Sequence, residues 1–221
     1  MLYPFNLLML EASCSSLSKY FYLNIRYLIG EEYVVYWKLG ITLTLIEEFF
    51  TVQKGKIPSV DIGSWRLIVD GCVEKPLTLT YEELKTLPQN RIIEVLECYD
   101  NTPDGKLIGV AEWEGILVSK ILEIAKPKVS ASHLLFHSLD GYSTNHRIEY
   151  VKRACVMLAL KMNGMTLPIK HGYPVRLVAP GMYGYKWAKW INRIEVLEGE
   201  ELGYWEKRGY PSEPYRGLRT I

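Results

Sequence analysis

The chain has 221 residues, 48% of them hydrophobic and 23% charged, with a formal net charge of +1. This suits a globular protein with a real core and excludes a disordered chain; near-neutrality also argues against a general nucleic-acid binder, which carries a domain-wide basic excess. The four cysteines, Cys14, Cys72, Cys98 and Cys155, form no C-x-x-C pair and no disulfide-like framework. No zinc ribbon, iron–sulfur cluster or c-type haem site is written here, and a reducing compartment is the expectation.

Residues 1–36 are rich in Leu, Tyr and Ser and carry no evident chemistry. An extra helical layer, a membrane-surface anchor and translated upstream sequence fit them equally. The apolar start, Met1 to Leu10, lacks a basic flank and a small-residue cleavage site, and no twin-arginine motif is present. No apolar run reaches the roughly 20 residues of a spanning helix. The expected location is cytoplasmic, with membrane-surface association through residues 1–36 as the alternative.

Residues 37–221 read as one domain. Trp65 to Gly71 alternates as a strand ending at the Asp70-Gly71 turn. Pro76 to Thr80 is extended, and Thr80 with Glu83 forms a capping box that opens a helix from Tyr81 to Leu87, closed by Pro88. Arg91 to Cys98 reads as a strand running into the polar turn Tyr99 to Gly105. Glu112 to Lys126 reads as the clearest helix, striped by Ile116, Leu117, Ile121, Leu122 and Ala125. His133 to Leu139 is a strand ending at Asp140-Gly141. Arg153 to Met162 is an apolar strand ending at the hairpin signal Asn163-Gly164, and Val175 to Val178 and Ile194 to Leu197 are short strands. Short strands joined by turns with few helices predict an α+β fold of mixed β-sheets.

Two features point to chemistry. Lys170 to Arg193 holds five fixed positive charges, His171 and no acid, as a cradle for an anion such as phosphate would; a solvated basic face has the same composition. Cys98 sits where a strand meets a Gly-containing loop, a place that presents a side chain to a pocket. Its thiolate is a nucleophile or a metal ligand, or the residue is simply a small buried apolar group. The other cysteines carry no chemistry, Cys155 being read as part of an apolar strand. His133, His137, His146 and His171 are available bases, but no cysteine-hydrolase motif accompanies them, and there is no dinucleotide fingerprint or P-loop. A lone soft thiolate also suits a metal that arrives with its own ligands.

Trp65 and Trp113 read as core, His133 and His137 as ordinary strand histidines, and Tyr204-Trp205 and Gly209-Tyr210 as C-terminal packing. Tyr142, Asn145 and His146 fit a substrate mouth or plain loop equally. Aromatics interleaved with Lys and Arg between Tyr173 and Trp190 resemble a single-stranded nucleic-acid surface, but the neutral charge and the lack of an RNP-type motif oppose that reading.

In order, Trp65-Arg66-Leu67, Pro76-Leu77-Thr78-Leu79, Glu97-Cys98-Tyr99-Asp100-Asn101, Ala111-Glu112-Trp113-Glu114-Gly115, Asp140 to Thr144, and His171-Gly172-Tyr173-Pro174-Val175-Arg176 with Gly184 and Lys189-Trp190 resemble the sulfite oxidase family of molybdopterin-binding oxidoreductases. The similarity is nearest to the small prokaryotic branch that includes the methionine sulfoxide reductase catalytic subunit. It implies a sulfite oxidase-type fold and a molybdenum–molybdopterin cofactor, with tungsten as the alternative metal. It assigns the metal ligand to Cys98, the cofactor grip to His171 and Arg176, and further cofactor contacts to Phe50, Thr51, Ser138, Asp140, Trp187, Ala188 and Lys189. The pterin would supply two sulfurs and Cys98 a third.

The implied reaction is oxygen-atom transfer on a small oxyanion, sulfoxide or N-oxide, with electrons exchanged through a separate cytochrome, ferredoxin or membrane subunit. An inactive molybdopterin-binding or carrier module is the alternative. Phe49-Phe50 is followed by Thr51-Val52-Gln53-Lys54, without the Arg that holds sulfite in sulfite oxidases, which argues against that substrate. Lys170, Lys186 and Arg193 receive no role and stay undecided, with plain solvated charges as one reading.

Overall fold

The computed structural model describes residues 42–216; the sequence expectations for residues 1–36 lie outside that range. The described residues form one compact unit built on two five-stranded sheets. The strands are β1 (Leu67–Gly71), β2 (Leu77–Leu79), β3 (Asn90–Glu97), β4 (Ile108–Leu117), β5 (His133–Ser138), β6 (Ser143–Arg147), β7 (Met157–Met162), β8 (Met165–Thr166), β9 (Arg176–Val178) and β10 (Ile191–Leu197). Three short helices accompany them: α1 (Tyr81–Thr86), α2 (Val118–Ala125) and α3 (Ile148–Arg153).

One sheet has the order β2-β1-β10-β5-β6, the other β3-β4-β7-β8 with β9 also on β7. The β1–β10 pair is parallel and the other strand pairs are antiparallel. Parallel neighbours need a crossover connection, and here it contains the whole second sheet. The chain therefore reaches the second edge of β1 only at the end, through the loop between β9 and β10. That returning loop is the basic stretch singled out in the sequence, so the topology itself carries it to the junction of the sheets.

Local signals explain most elements. In β1, Leu67 and Val69 are buried and Ile68 is exposed, the alternation of a strand with one wet face. The capping box of α1 forms as expected: Thr80 Oγ1 accepts from the Glu83 N–H, and the Glu83 carboxylate accepts from the Thr80 N–H at 2.8 Å. Asn163 and Gly164 both take positive φ, 50° and 74°, and close the β7–β8 hairpin.

The expected helix from Glu112 to Lys126 is corrected. Glu112 to Leu117 belongs to β4, and only Val118–Ala125 is helical. β4 is paired on both sides, with β3 and β7. It alternates between buried and part-exposed residues from Ile108 to Trp113, but Glu114 to Leu117 are all buried and show no alternation. Ile116 and Leu117 then run straight into the apolar face of α2 and mimic the first turn of one longer helical stripe. Gly115 permits the close approach: a Cβ there would lie 2.0 Å from the Leu158 carbonyl oxygen.

β6 and α3 had no sequence expectation, and Arg153 closes α3 rather than opening β7. Cys155 is likewise outside the strand: it sits in a turn at φ 55° and is disulfide-bonded, not an apolar strand thiol.

Candidate active site at the junction of the sheets

Cys98 is the first residue after β3. Its N–H donates to the Leu107 carbonyl oxygen at 2.8 Å, and its own carbonyl accepts from the Asn101 N–H at 3.1 Å. The Asn101 side chain spans the same loop, accepting from the Leu107 N–H at 3.0 Å and donating to Glu97 at 3.3 Å. The polar turn is thus a scaffold that fixes the Cys98 backbone while its thiol stays free and half-buried.

The thiol opens into a cleft with about 900 Å³ of empty space, part of it open to solvent. Its walls come from the segment before β1, the β3 exit loop, the β5–β6 turn, the start of β9, the β9–β10 loop and the C-terminal segment. Phe50, Thr51, Cys98, Asp140, His171, Arg176, Trp187, Ala188 and Lys189 all line it. Ser138 does not: it ends β5, is buried, and its hydroxyl has no partner.

The basic side converges on Gly172, which follows the 3₁₀ turn Ile169–His171 at φ 116°. A Cβ at this position would lie 2.8 Å from Arg176 Cβ and 3.2 Å from Lys189 Cβ. Glycine here lets both stems reach the same wall.

Arg176 is 3% exposed. Its Nη1 donates to the His171 carbonyl oxygen at 3.1 Å, while its buried Nε has no partner. The guanidinium lies over the rings of Trp113, at 4.7 Å, and Trp187, at 6.0 Å. Burial pulls its pKa down to about 9. Lys189 Nζ donates to the Lys170 carbonyl oxygen and to Gln53 Oε1, both at 3.3 Å; burial and then the nearby Arg176 pull its pKa down to about 7. His171 donates from Nε2 to the Ile46 carbonyl oxygen at 3.3 Å, and burial and then Arg176 pull it down to about 4, so it is neutral near pH 7. Neither Arg176, Lys189 nor His171 joins an ion pair among the described residues.

The opposite side is aromatic. The Tyr99 ring meets those of Tyr183, Tyr185 and Tyr210 at 5.2, 5.7 and 5.1 Å, and Trp205 meets Tyr210 at a tilt, with ring centres 4.8 Å apart. Tyr142 lines the cleft too, its hydroxyl donating to the Tyr185 carbonyl oxygen.

The model of the family described as the oxidoreductase molybdopterin binding domain matches residues 54–205. The chain belongs to the sulfite oxidase family of molybdopterin-binding oxidoreductases. It is 31% identical over 174 residues to the uncharacterized oxidoreductase YuiH of Bacillus subtilis, covering 77% of this chain and 86% of that one. It is 28% identical over 204 residues to sulfite oxidase of Arabidopsis thaliana, covering 78% of this chain and 52% of the plant enzyme. The crystal structure of the sulfane dehydrogenase SoxCD from Paracoccus pantotrophus superposes with a TM-score of 0.61 at 30% identity, covering 65% of this chain and 40% of that one. The chain thus spans about half or less of the latter two, and the fold is the mixed-sheet, few-helix type of this family.

The cleft suits the family's cofactor class on its own chemistry. A buried guanidinium with an orphan Nε, beside a desolvated lysine and with no carboxylate in ion-pair contact with either among the described residues, is a site that an anion completes. Among the described residues no group of three or more His, Cys, Asp or Glu is arranged to hold a metal ion. A metal at Cys98 would therefore bring its other ligands with it.

Several sequence expectations change at this site. Trp205 and Tyr210, expected as terminal packing, line the cleft; nothing local to them marks this, because the contact is to residues about a hundred positions earlier. Trp113 is core, as expected, but also the platform under Arg176. Asn145 and His146 are buried in β6, away from the mouth. Lys186 is not solvated but fully buried in an ion pair with Glu206, and Arg193 pairs with Asp70 and Glu195.

Proposed function

We propose that this cleft holds a molybdopterin cofactor whose metal, molybdenum or in its place tungsten, is ligated by Cys98. On this reading the protein catalyses oxygen-atom transfer on a small oxyanion, sulfoxide or N-oxide. One observation carries it: a free thiol and an unpaired, buried cationic group open into the same cleft, 78 residues apart in sequence at Cys98 and Arg176.

Arg176 and Lys189 would hold the pterin phosphate, Arg176 through its planar fork and Lys189 as a point charge. His171, neutral, would offer a ring nitrogen without adding charge. Trp187, Ala188, Phe50, Thr51 and Asp140 would border the pterin. Ser138 lies behind the wall, and its unpartnered hydroxyl would act from there. When bound, the metal supplies a centre that takes or gives an oxygen atom with a two-electron change. The protein's own part is to hold that centre, orient it towards the aromatic side and limit water. No haem or iron–sulfur motif occurs in the sequence, so electrons would pass through a separate cytochrome, ferredoxin or membrane subunit.

The test uses protein produced in a molybdenum-replete host, assayed with dithionite-reduced viologen against methyl sulfoxides and N-oxides, and with sulfite in the oxidative direction. Turnover that vanishes in Cys98→Ser supports the reading. Stoichiometric metal and pterin without turnover on any oxide would favour the carrier alternative, and absence of both would reject the cofactor assignment.

A further inference from the structure

The aromatic side of the cleft is built from chain that arrives last. Trp205 and Tyr210 line it, and Tyr210 reaches Tyr99, the neighbour of Cys98, at 5.1 Å and Tyr185 at 5.2 Å. Between them runs the 3₁₀ turn Glu206–Arg208. Across from it lies Lys186, between Tyr185 and Trp187, which both line the cleft.

Lys186 and Glu206 side chains are fully buried, and neither lines the cleft. Lys186 Nζ donates to Glu206 Oε1 at 2.6 Å and to Asn145 Oδ1 at 2.8 Å. Glu206 Oε1 also accepts from the Thr144 hydroxyl at 2.8 Å. One carboxylate oxygen therefore ties β6, the β9–β10 loop and the C-terminal segment together. Gly203 brings that segment flat onto β6: a Cβ there would lie 2.5 Å from the Ser143 carbonyl oxygen and 2.6 Å from Thr144 Cα.

A buried ion pair is a poor source of stability, because desolvating both charges offsets most of their attraction, and an apolar pair of similar volume often does as well. What it supplies is direction. Apolar surfaces tolerate sliding, whereas this carboxylate has its donors in one register only.

We propose that Lys186 and Glu206 are positioning residues: their buried pair fixes the segment 203–210 against the loop 184–190 and so sets the aromatic wall beside Cys98. This goes beyond the cofactor assignment and does not depend on it, since the wall and the thiol belong to the protein alone.

The experiment uses the metal-free full chain. Iodoacetamide labelling of the free thiols Cys98 and Cys72 under native conditions is followed by peptide mass spectrometry, with half-buried Cys72 as internal reference. The double variant Lys186→Met with Glu206→Met is expected to melt close to the parent yet label Cys98 about tenfold faster, with Cys72 unchanged, as local opening without global unfolding produces. Gly203→Ala, which leaves both charges in place, is expected to accelerate Cys98 in the same way. Parent-like labelling of Cys98 in a folded double variant would overturn the proposal, as would equal acceleration of Cys72. If the double variant does not fold, Gly203→Ala decides alone, and parent-like Cys98 labelling there overturns it.

Discussion

The guanidinium of Arg176 lies 4.7 Å from the centre of the Trp113 ring and makes no ion pair among the described residues. Two ring faces, Trp113 and Trp187, and one carbonyl oxygen hold the charge in place, but they replace only part of the water it has lost. The arrangement is costly for the protein alone and favourable once an anion arrives.

That asymmetry makes Arg176→Met informative. In the cofactor-free protein the substitution is expected to be neutral or stabilising, by up to about 3 kcal/mol, because it removes an uncompensated buried charge and keeps the volume. Retained pterin is expected to fall sharply. Urea denaturation of cofactor-free protein and fluorimetry of released pterin separate the two effects; a large loss of apo stability would mean that the charge is satisfied by the protein itself.

Anion binding by the cofactor-free cleft should depend on pH with a defined sign. Lys189 is held down to about 7 and Arg176 to about 9 by burial, and only their protonated forms attract an anion. Sulfate, whose charge is constant over the range, should bind best below pH 7 and about tenfold more weakly at pH 8, as Lys189 loses its proton. Binding at pH 8 raises the Lys189 pKa, so protons are taken up. Isothermal titration calorimetry in buffers of different ionisation enthalpy reads both quantities, and a pH-independent affinity would remove Lys189 from the anion site.

Gly172→Ala forces a side chain into φ 116°, 2.8 Å from Arg176 Cβ. Strain of this type costs about 1–3 kcal/mol, and relief requires Arg176 or Lys189 to move. The variant should lose cofactor out of proportion to its lower melting temperature. By contrast Thr80→Ala removes only the α1 cap; it should cost about 1 kcal/mol and leave cofactor content unchanged, which urea melts and metal analysis check together.

Elements governed by local chemistry were legible in the sequence. The α1 capping box, the Asn163-Gly164 hairpin and the alternation in β1 each depend on residues within a few positions. β4 was not, because Glu114 to Leu117 are buried without alternation and lead directly into the helix that follows. β6 was hidden for a different reason: Ser143 to Arg147 is polar, yet Thr144, Asn145 and His146 are buried, their side chains hydrogen-bonded to distant partners such as Glu206 and Lys186. At the cleft, the ordered motifs located the basic wall and Cys98. The aromatic wall was missed, since Trp205 and Tyr210 acquire their role only when the C-terminal segment folds back across Tyr99. Lys186 was left undecided for the same reason, its partner Glu206 lying 20 residues further along the chain, beyond β10.

The central claim is that Cys98 ligates the metal, and X-ray absorption at the metal edge tests it most directly. The account predicts that Cys98→Ser protein, loaded and purified as the parent is, shows one sulfur neighbour fewer at the metal, with pterin still bound through Arg176 and Lys189. An unchanged sulfur count would contradict it.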